Sequence, residues 1–225
     1  MTDCELTAGS GLAAGDFSQW LTQMAAAMRG ERGSEVPCGD CTACCTSSQF
    51  VHIAPDETDT LSHIPKKLLF AAPRLPRGHK LLGYDDRGHC PMLIDGACSI
   101  YAHRPRTCRT YDCRVFPAAG VELDDDDKAL IAGQARRWRF SFPGENDRAE
   151  YKAVRAATAF LRDRASELPE EARPHTSTQL AALAVALSEA FLRRDERTGI
   201  AAVVDPDPQA VGVAITRLSR GSGPS

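Results

Sequence analysis

Eight of the nine cysteines in this chain lie between residues 38 and 113, in the order Cys38-x2-Cys41-x2-Cys44-Cys45 and then Cys90-x7-Cys98-x9-Cys108-x4-Cys113. Thiols repeated every third residue place several soft donors within reach of one inorganic centre, so this spacing points to a cage for zinc or for an iron–sulfur cluster. In a C-x2-C loop the turn aims backbone amides at the thiolates, and a bound metal lowers the thiol pKa. Three thiols at this step also resemble bacterial ferredoxin loops, whose fourth ligand is a distant cysteine followed by proline, the local form of Cys90-Pro91. The doublet Cys44-Cys45 adds a constraint. Adjacent side chains diverge unless the backbone bends, so the pair is suited to two separate sites. Eight thiols divide into two four-ligand zinc sites, or into one four-iron cluster with further thiols that are structural, redox-active or bound to a second metal.

The alternative use of so many cysteines is a disulfide framework, and this depends on the compartment. Residues Met1-Thr2-Asp3-Cys4-Glu5 lack the basic start and apolar run of a secretory signal. No stretch approaches the roughly 20 apolar residues of a membrane span. These features predict a cytoplasmic protein, where clustered cysteines are metal ligands or redox groups more often than cystines. With a net charge of −3 the composition makes no global electrostatic case for a nucleic-acid partner. Metal ions are the expected partners, without membrane or nucleic acid.

Pattern along the chain predicts an α+β fold, mostly α. A loop-rich cysteine module with a small β meander is expected to pack against N-terminal and C-terminal helices. Residues 1–15, rich in Gly, Ala, Ser and Thr, are expected to be disordered. Residues 16–117 are expected to form the metal module with its N-terminal helix. That helix starts at Asp16 or Ser18, carries Phe17, Trp20, Leu21, Met24 and Met28 on one stripe, and stops at Gly30. A strand is expected over residues 50–53, and a short helix from Pro55 to about Ile64. Lys80–Tyr84 and Met92–Ile94, flanking turn signals at Asp86-Arg87-Gly88 and Asp95-Gly96, predict an antiparallel meander carrying Cys90 and Cys98.

Residues 118–220 are expected to be helical and packed on the module, with 221–225 a disordered tail. The acidic run Asp124–Asp127 reads as the start of a helix over residues 128–140. Longer helices are expected from about Asp147 to Leu168, with Tyr151, Val154, Ala157, Phe160 and Leu161 on one side, and from about Thr176 to Arg194. A last short one begins at Pro208.

Sulfur-rich centres carry net negative charge. Two Zn²⁺ with eight thiolates leave about −4, and one [4Fe–4S]²⁺ with four thiolates about −2. Cations therefore belong nearby. His103-Arg104-Pro105-Arg106-Thr107-Cys108-Arg109, with Arg114 beyond, supplies them. Arg104 and Arg109 are also candidates for an anion pocket. His89 and His103, beside cysteines, are candidate replacement ligands, and Cys4 reads as a free thiol. No Walker, H-E-x-x-H or G-x-S-x-G motif is present.

The order Cys38-x2-Cys41-x2-Cys44-Cys45, then Cys90-Pro91-x-Leu93, Gly96-x-Cys98-x-Ile100-Tyr101-x2-Arg104-Pro105-x2-Cys108-Arg109, closely resembles the CxxCxxCC, or YkgJ-like, zinc- or iron-chelating family. The resemblance covers about residues 36–117. It implies that Cys38, Cys41, Cys44, Cys45, Cys90, Cys98, Cys108 and Cys113 are the chelators, for an iron–sulfur cluster, 4Fe–4S in type, or for zinc. Arg104, Pro105 and Arg109 belong to the shared motif. Some members resemble flagellin lysine-N-methylase, which uses S-adenosylmethionine. That likeness implies an alternative as a methyl-transfer enzyme, with Tyr101, Arg104 and Arg109 lining its cofactor pocket.

Overall fold

The computed structural model describes residues 11–34, 36–123 and 128–221. The elements run in the order β1 (Leu12–Asp16), α1 (Phe17–Met28), β2 (Val51–Ile53), α2 (Thr58–His63), β3 (Leu69–Ala71), β4 (Lys80–Leu82), β5 (Leu93–Ile94), β6 (Ala97–Cys98), α3 (Arg106–Thr110), α4 (Val115–Ala119), α5 (Ala129–Ala135), β7 (Trp138–Ser141), α6 (Glu145–Asp163), α7 (Ser177–Leu187), β8 (Leu192–Arg194), β9 (Ala201–Val203) and α8 (Pro208–Gly221). This is a mostly helical α+β fold, about 48% helix and 14% strand, with small sheets and many loops.

The larger of two apolar cores is built by α1, α4, α5, α6 and α7, with β7 and α8 contributing Trp138, Val211 and Ile215. Helix α1 buries Phe17, Trp20, Leu21 and Met24, which recur at three and four residues and so lie along one stripe. Phe17 meets Phe140 and Tyr151 edge-on, with ring centroids 5.0 and 5.2 Å apart. Helix α6 presents Ala153, Val154, Ala157, Phe160 and Leu161. Its Asp147 joins two helix starts, the carboxylate accepting from the Gly144 amide at 2.8 Å and from the Ser18 amide of α1 at 2.8 Å. An acceptor shared by two helix N-termini satisfies donors that neither helix can satisfy internally.

The smaller core consists of Val51, Ile53, Ile64, Leu82, Met92 and Ile100, and Cys90, Cys98 and Cys108 pack against it. Its sheet has the strand order β2-β4-β3, antiparallel throughout. The hairpin β5–β6 is separate and pairs Leu93 with Cys98.

Several expectations are corrected. Residues 12–15, expected to be disordered, form part of β1, which pairs in parallel with β7 from Leu12↔Trp138 to Asp16↔Ser141. Its sequence, LAAGD, has no strand propensity, and the partner lies more than 120 residues away, so only the tertiary pairing stabilises it. The expected meander resolves into two sheets, because Lys80–Leu82 pairs with β2 and β3 and not with Leu93–Ile94. The helix expected over residues 128–140 ends at Ala135, and Trp138 is a strand residue. The one expected to reach Arg194 ends at Leu187, and the chain continues through a 3-10 turn, Ser188–Phe191, into β8. The helix end expected at Leu168 falls at Asp163. Gly221, expected to open the disordered tail 221–225, is the last residue of α8, and the expectations for residues 1–10, including Cys4, for Asp124–Asp127 and for 222–225 lie outside the described residues.

Candidate metal centre

Each cysteine is positioned by a different kind of local structure. Cys38 and Cys41 bracket a turn in which the Cys41 amide donates to the Cys38 carbonyl at 3.0 Å, with Gly39 at φ 54°. That left-handed conformation suits glycine. Cys44 and Cys45 occupy a 3-10 turn, Ala43–Thr46. Cys90 begins a knuckle. Hydrogen bonding by the Met92 and Leu93 amides favours its thiolate, and the Leu93 amide donates to the Cys90 carbonyl at 2.9 Å. Cys98 closes β6, Cys108 lies in α3, and Cys113 is buried just before α4, its sulfur accepting from Trp138 Nε1 at 3.1 Å.

These segments, far apart in sequence, are brought side by side. The Cys90 amide donates to the Cys45 carbonyl at 2.7 Å, and Ser34, just before the first cysteine loop, donates its amide to the Arg109 carbonyl at 2.6 Å. All eight cysteines are free, so the disulfide alternative has no pairing in this structure.

Burial pushes Cys38, Cys44, Cys45, Cys90, Cys108 and Cys113 up, and the charges of neighbouring thiolates add to the rise. Cys45 rises to about 11, with Cys90, Cys98 and Cys41 as its charged neighbours. Cys108 rises to about 12 beside Cys90, Cys45 and Cys98. Burial raises Cys113 to about 11 despite the Trp138 hydrogen bond, with Cys38 and Cys41 adding to the rise. Cys44 is raised further still, by burial and then by Cys113, Cys45, Cys38 and Cys41. Cys38 and Cys90 move the same way. Without a cation among them, thiols this close hold their protons. A divalent ion reverses that preference.

The cationic candidates separate. Arg104 lowers the cost of ionising Cys38, Cys45 and Cys108, and so reaches thiols from both stretches. Its guanidinium lies 3.6 Å from the centroid of the Tyr101 ring, and its Nε donates to the Tyr101 carbonyl at 2.9 Å. Tyr101 itself is 63% exposed. Arg109 turns toward Glu57, 4.0 Å away. Two clefts in the described residues, one of about 800 Å³ beside α8 and one of about 420 Å³ between β1, α1 and Val36–Pro37, are lined by neither these arginines nor Tyr101.

Arg114 is buried in an ion pair with Asp112, 2.7 Å apart. Sequence reasoning missed Asp112, whose carboxylate also accepts from Trp20 Nε1 at 3.0 Å and from Ser34 Oγ at 2.8 Å. Its only sequence signal was adjacency to Cys113.

His103 groups with Asp59 and His63 and not with a cysteine. His103 Nδ1 contacts Asp59 at 2.8 Å, and its ring stacks on His63 with centroids 3.6 Å apart. The His89 amide donates to Asp85 at 2.8 Å.

The thiol cluster and its order in sequence match a known domain. Residues 37–131 match the CxxCxxCC family model. That family is described as a "Putative zinc- or iron-chelating domain", and the description covers metal chelation without specifying the centre. No curated protein and no solved structure matches the chain. The CxxCxxCC segment thus contains all eight clustered cysteines, both motif arginines and the whole smaller core. Among the described residues, no helix is long and apolar enough to cross a membrane.

Proposed function

We propose that the CxxCxxCC segment binds inorganic iron–sulfur through thiolates drawn from Cys38, Cys41, Cys44, Cys45, Cys90, Cys98, Cys108 and Cys113, in a structural or electron-carrying role. The observation that carries this reading is that the two distant stretches meet, the Cys90 amide donating to the Cys45 carbonyl at 2.7 Å, with the charges of neighbouring thiols acting on Cys44, Cys45, Cys108 and Cys113. The donor set fits a soft metal.

Spacing favours a cluster over a lone zinc ion. Sulfurs sharing one Zn²⁺ at about 2.3 Å stand about 3.8 Å apart in a tetrahedron. Among the described residues the groups of three or more donor atoms within 4.8 Å of one another include no cysteine. In a four-iron cluster each thiolate binds a different iron, so the sulfurs stand farther apart than around one ion. When bound, such a cluster supplies one-electron chemistry. The chain supplies the amides of Met92 and Leu93, the Trp138 indole and the Arg104 cation that stabilise thiolate charge.

Anaerobic purification followed by measurement of iron, sulfide and zinc per chain tests this, together with the visible spectrum. A brown protein whose absorption bleaches on reduction is expected. A colourless zinc protein removes the cluster but leaves chelation, and a metal-free, stably folded chain removes both.

A further inference from the structure

The doublet Cys44-Cys45 lies in a 3-10 turn, where successive residues are rotated by about 120°. Neighbouring side chains there leave the backbone in different directions. Cys45 faces the hairpin side. Its carbonyl accepts from Cys90, the β5–β6 register sets Cys98 opposite Leu93, and Cys90, Cys98 and Cys108 all pack on the smaller core. Of the other thiols, Cys113 is part of the larger core, and Val36 and Ala43, which flank Cys38, Cys41 and Cys44 in the first cysteine loop, pack against that core.

We propose that the eight cysteines form two four-thiolate sites, one from Cys38, Cys41, Cys44 and Cys113 and the other from Cys45, Cys90, Cys98 and Cys108, joined through the Cys44–Cys45 peptide bond. The charge interactions divide the same way. Cys44 is influenced by Cys113, Cys38 and Cys41, and Cys113 by Cys38 and Cys41. Cys45 is influenced by Cys90 and Cys98, and Cys108 by Cys90, Cys45 and Cys98. The couplings that cross link Cys45 to Cys44 and Cys41, its near neighbours in sequence. Arg104 acts on Cys38 in one set and on Cys45 and Cys108 in the other, which makes it a counter-cation shared by both.

This division rests on the chelation reading, and the two fail differently. Cys44→Ser, Cys113→Ser, Cys45→Ser and Cys108→Ser are prepared in the full chain, and metal and sulfide are measured per chain. Each single variant is expected to keep half the wild-type content. Cys44→Ser with Cys113→Ser should lose no more than either alone, whereas Cys44→Ser with Cys45→Ser should lose everything, the signature of independent sites.

Wild-type protein decides the matter where a variant fails to fold. It is treated with increasing chelator, and the released thiols are alkylated and located by mass spectrometry. Release in two groups of four with the stated membership supports the division. Release of all eight together, or in any other grouping, overturns the division while leaving chelation intact. Wild-type protein that holds no metal overturns both.

Discussion

Asp112 shows how one side chain orients a cysteine without being a ligand. Its carboxylate is fully buried, takes hydrogen bonds from Trp20, Ser34 and Arg114, and so ties α1, the entry to the first cysteine loop and the residue before Cys113 to one point. Removing one member of a buried ion pair leaves the other's charge uncompensated, which costs about 3–5 kcal/mol. Asp112→Ala is therefore expected to lower stability by about that amount in urea unfolding, and an unchanged midpoint would contradict this role.

Trp138 acts on the same cysteine more gently. Its indole donates to the Cys113 sulfur, and hydrogen bonds to cluster sulfurs are among the groups that set reduction potential. Trp138→Phe is expected to lower the potential of the centre containing Cys113. A redox titration in which the variant and wild type coincide would exclude the effect.

Among the elements, the β5–β6 hairpin is the smallest and the most exacting. Asp95 and Gly96 both have positive φ, 50° and 77°, the conformation of the two-residue turn whose twist matches that of the flanking strands. The turn sets Cys98 opposite Leu93, the third residue after Cys90. A β-branched residue at a left-handed position is strained by about 1–2 kcal/mol. Gly96→Val is thus expected to lower the melting temperature and to speed loss of metal to a chelator, and equal loss rates in the two proteins would refute it. This turn was legible, because Asp-Gly between apolar residues is a local signal. Helix α1 was legible for a similar reason, its stripe being periodic, as was α6 apart from its last turn. Strand β1 and the choice of β2 and β3 as partners for β4 were not, because pairing depends on what the remote chain offers and leaves no mark on the strand's own residues.

At the scale of the whole molecule, Cys113 lies in the larger core while Cys90, Cys98 and Cys108 pack on the smaller one, so the protonation of the thiols enters the stability of the fold. In the metal-free protein the folded-state values of Cys45 and Cys113 are raised from 9.0 to about 11. Folding then favours the protonated thiols. Their contribution is complete below pH 9 and is lost as the pH rises toward about 11. Metal-free protein is expected to unfold more readily across that window in a thermal series. The loaded protein needs thiolates and should behave oppositely, releasing metal as the pH falls. Equal alkaline stability with and without metal would contradict this account. Limited proteolysis after metal removal is expected to cut first within residues 37–113, where the backbone is mostly loops and short turns, and later in α6 and α7.

The sequence alone determined which atoms are available. Cysteine spacing, the turn residues between them and the apolar stripes of the long helices are local properties, written in neighbouring residues. It also located the positive charge beside the thiols, although it could not separate Arg104 and Arg114, which both favour the Cys38 thiolate, from Arg109, which turns to Glu57, nor show that Arg114 is buried against Asp112. Tertiary structure decided which thiols face one another, because that depends on the direction in which a 3-10 turn sends two adjacent side chains and on which of two cores receives each. Distance along the chain carries no information about either.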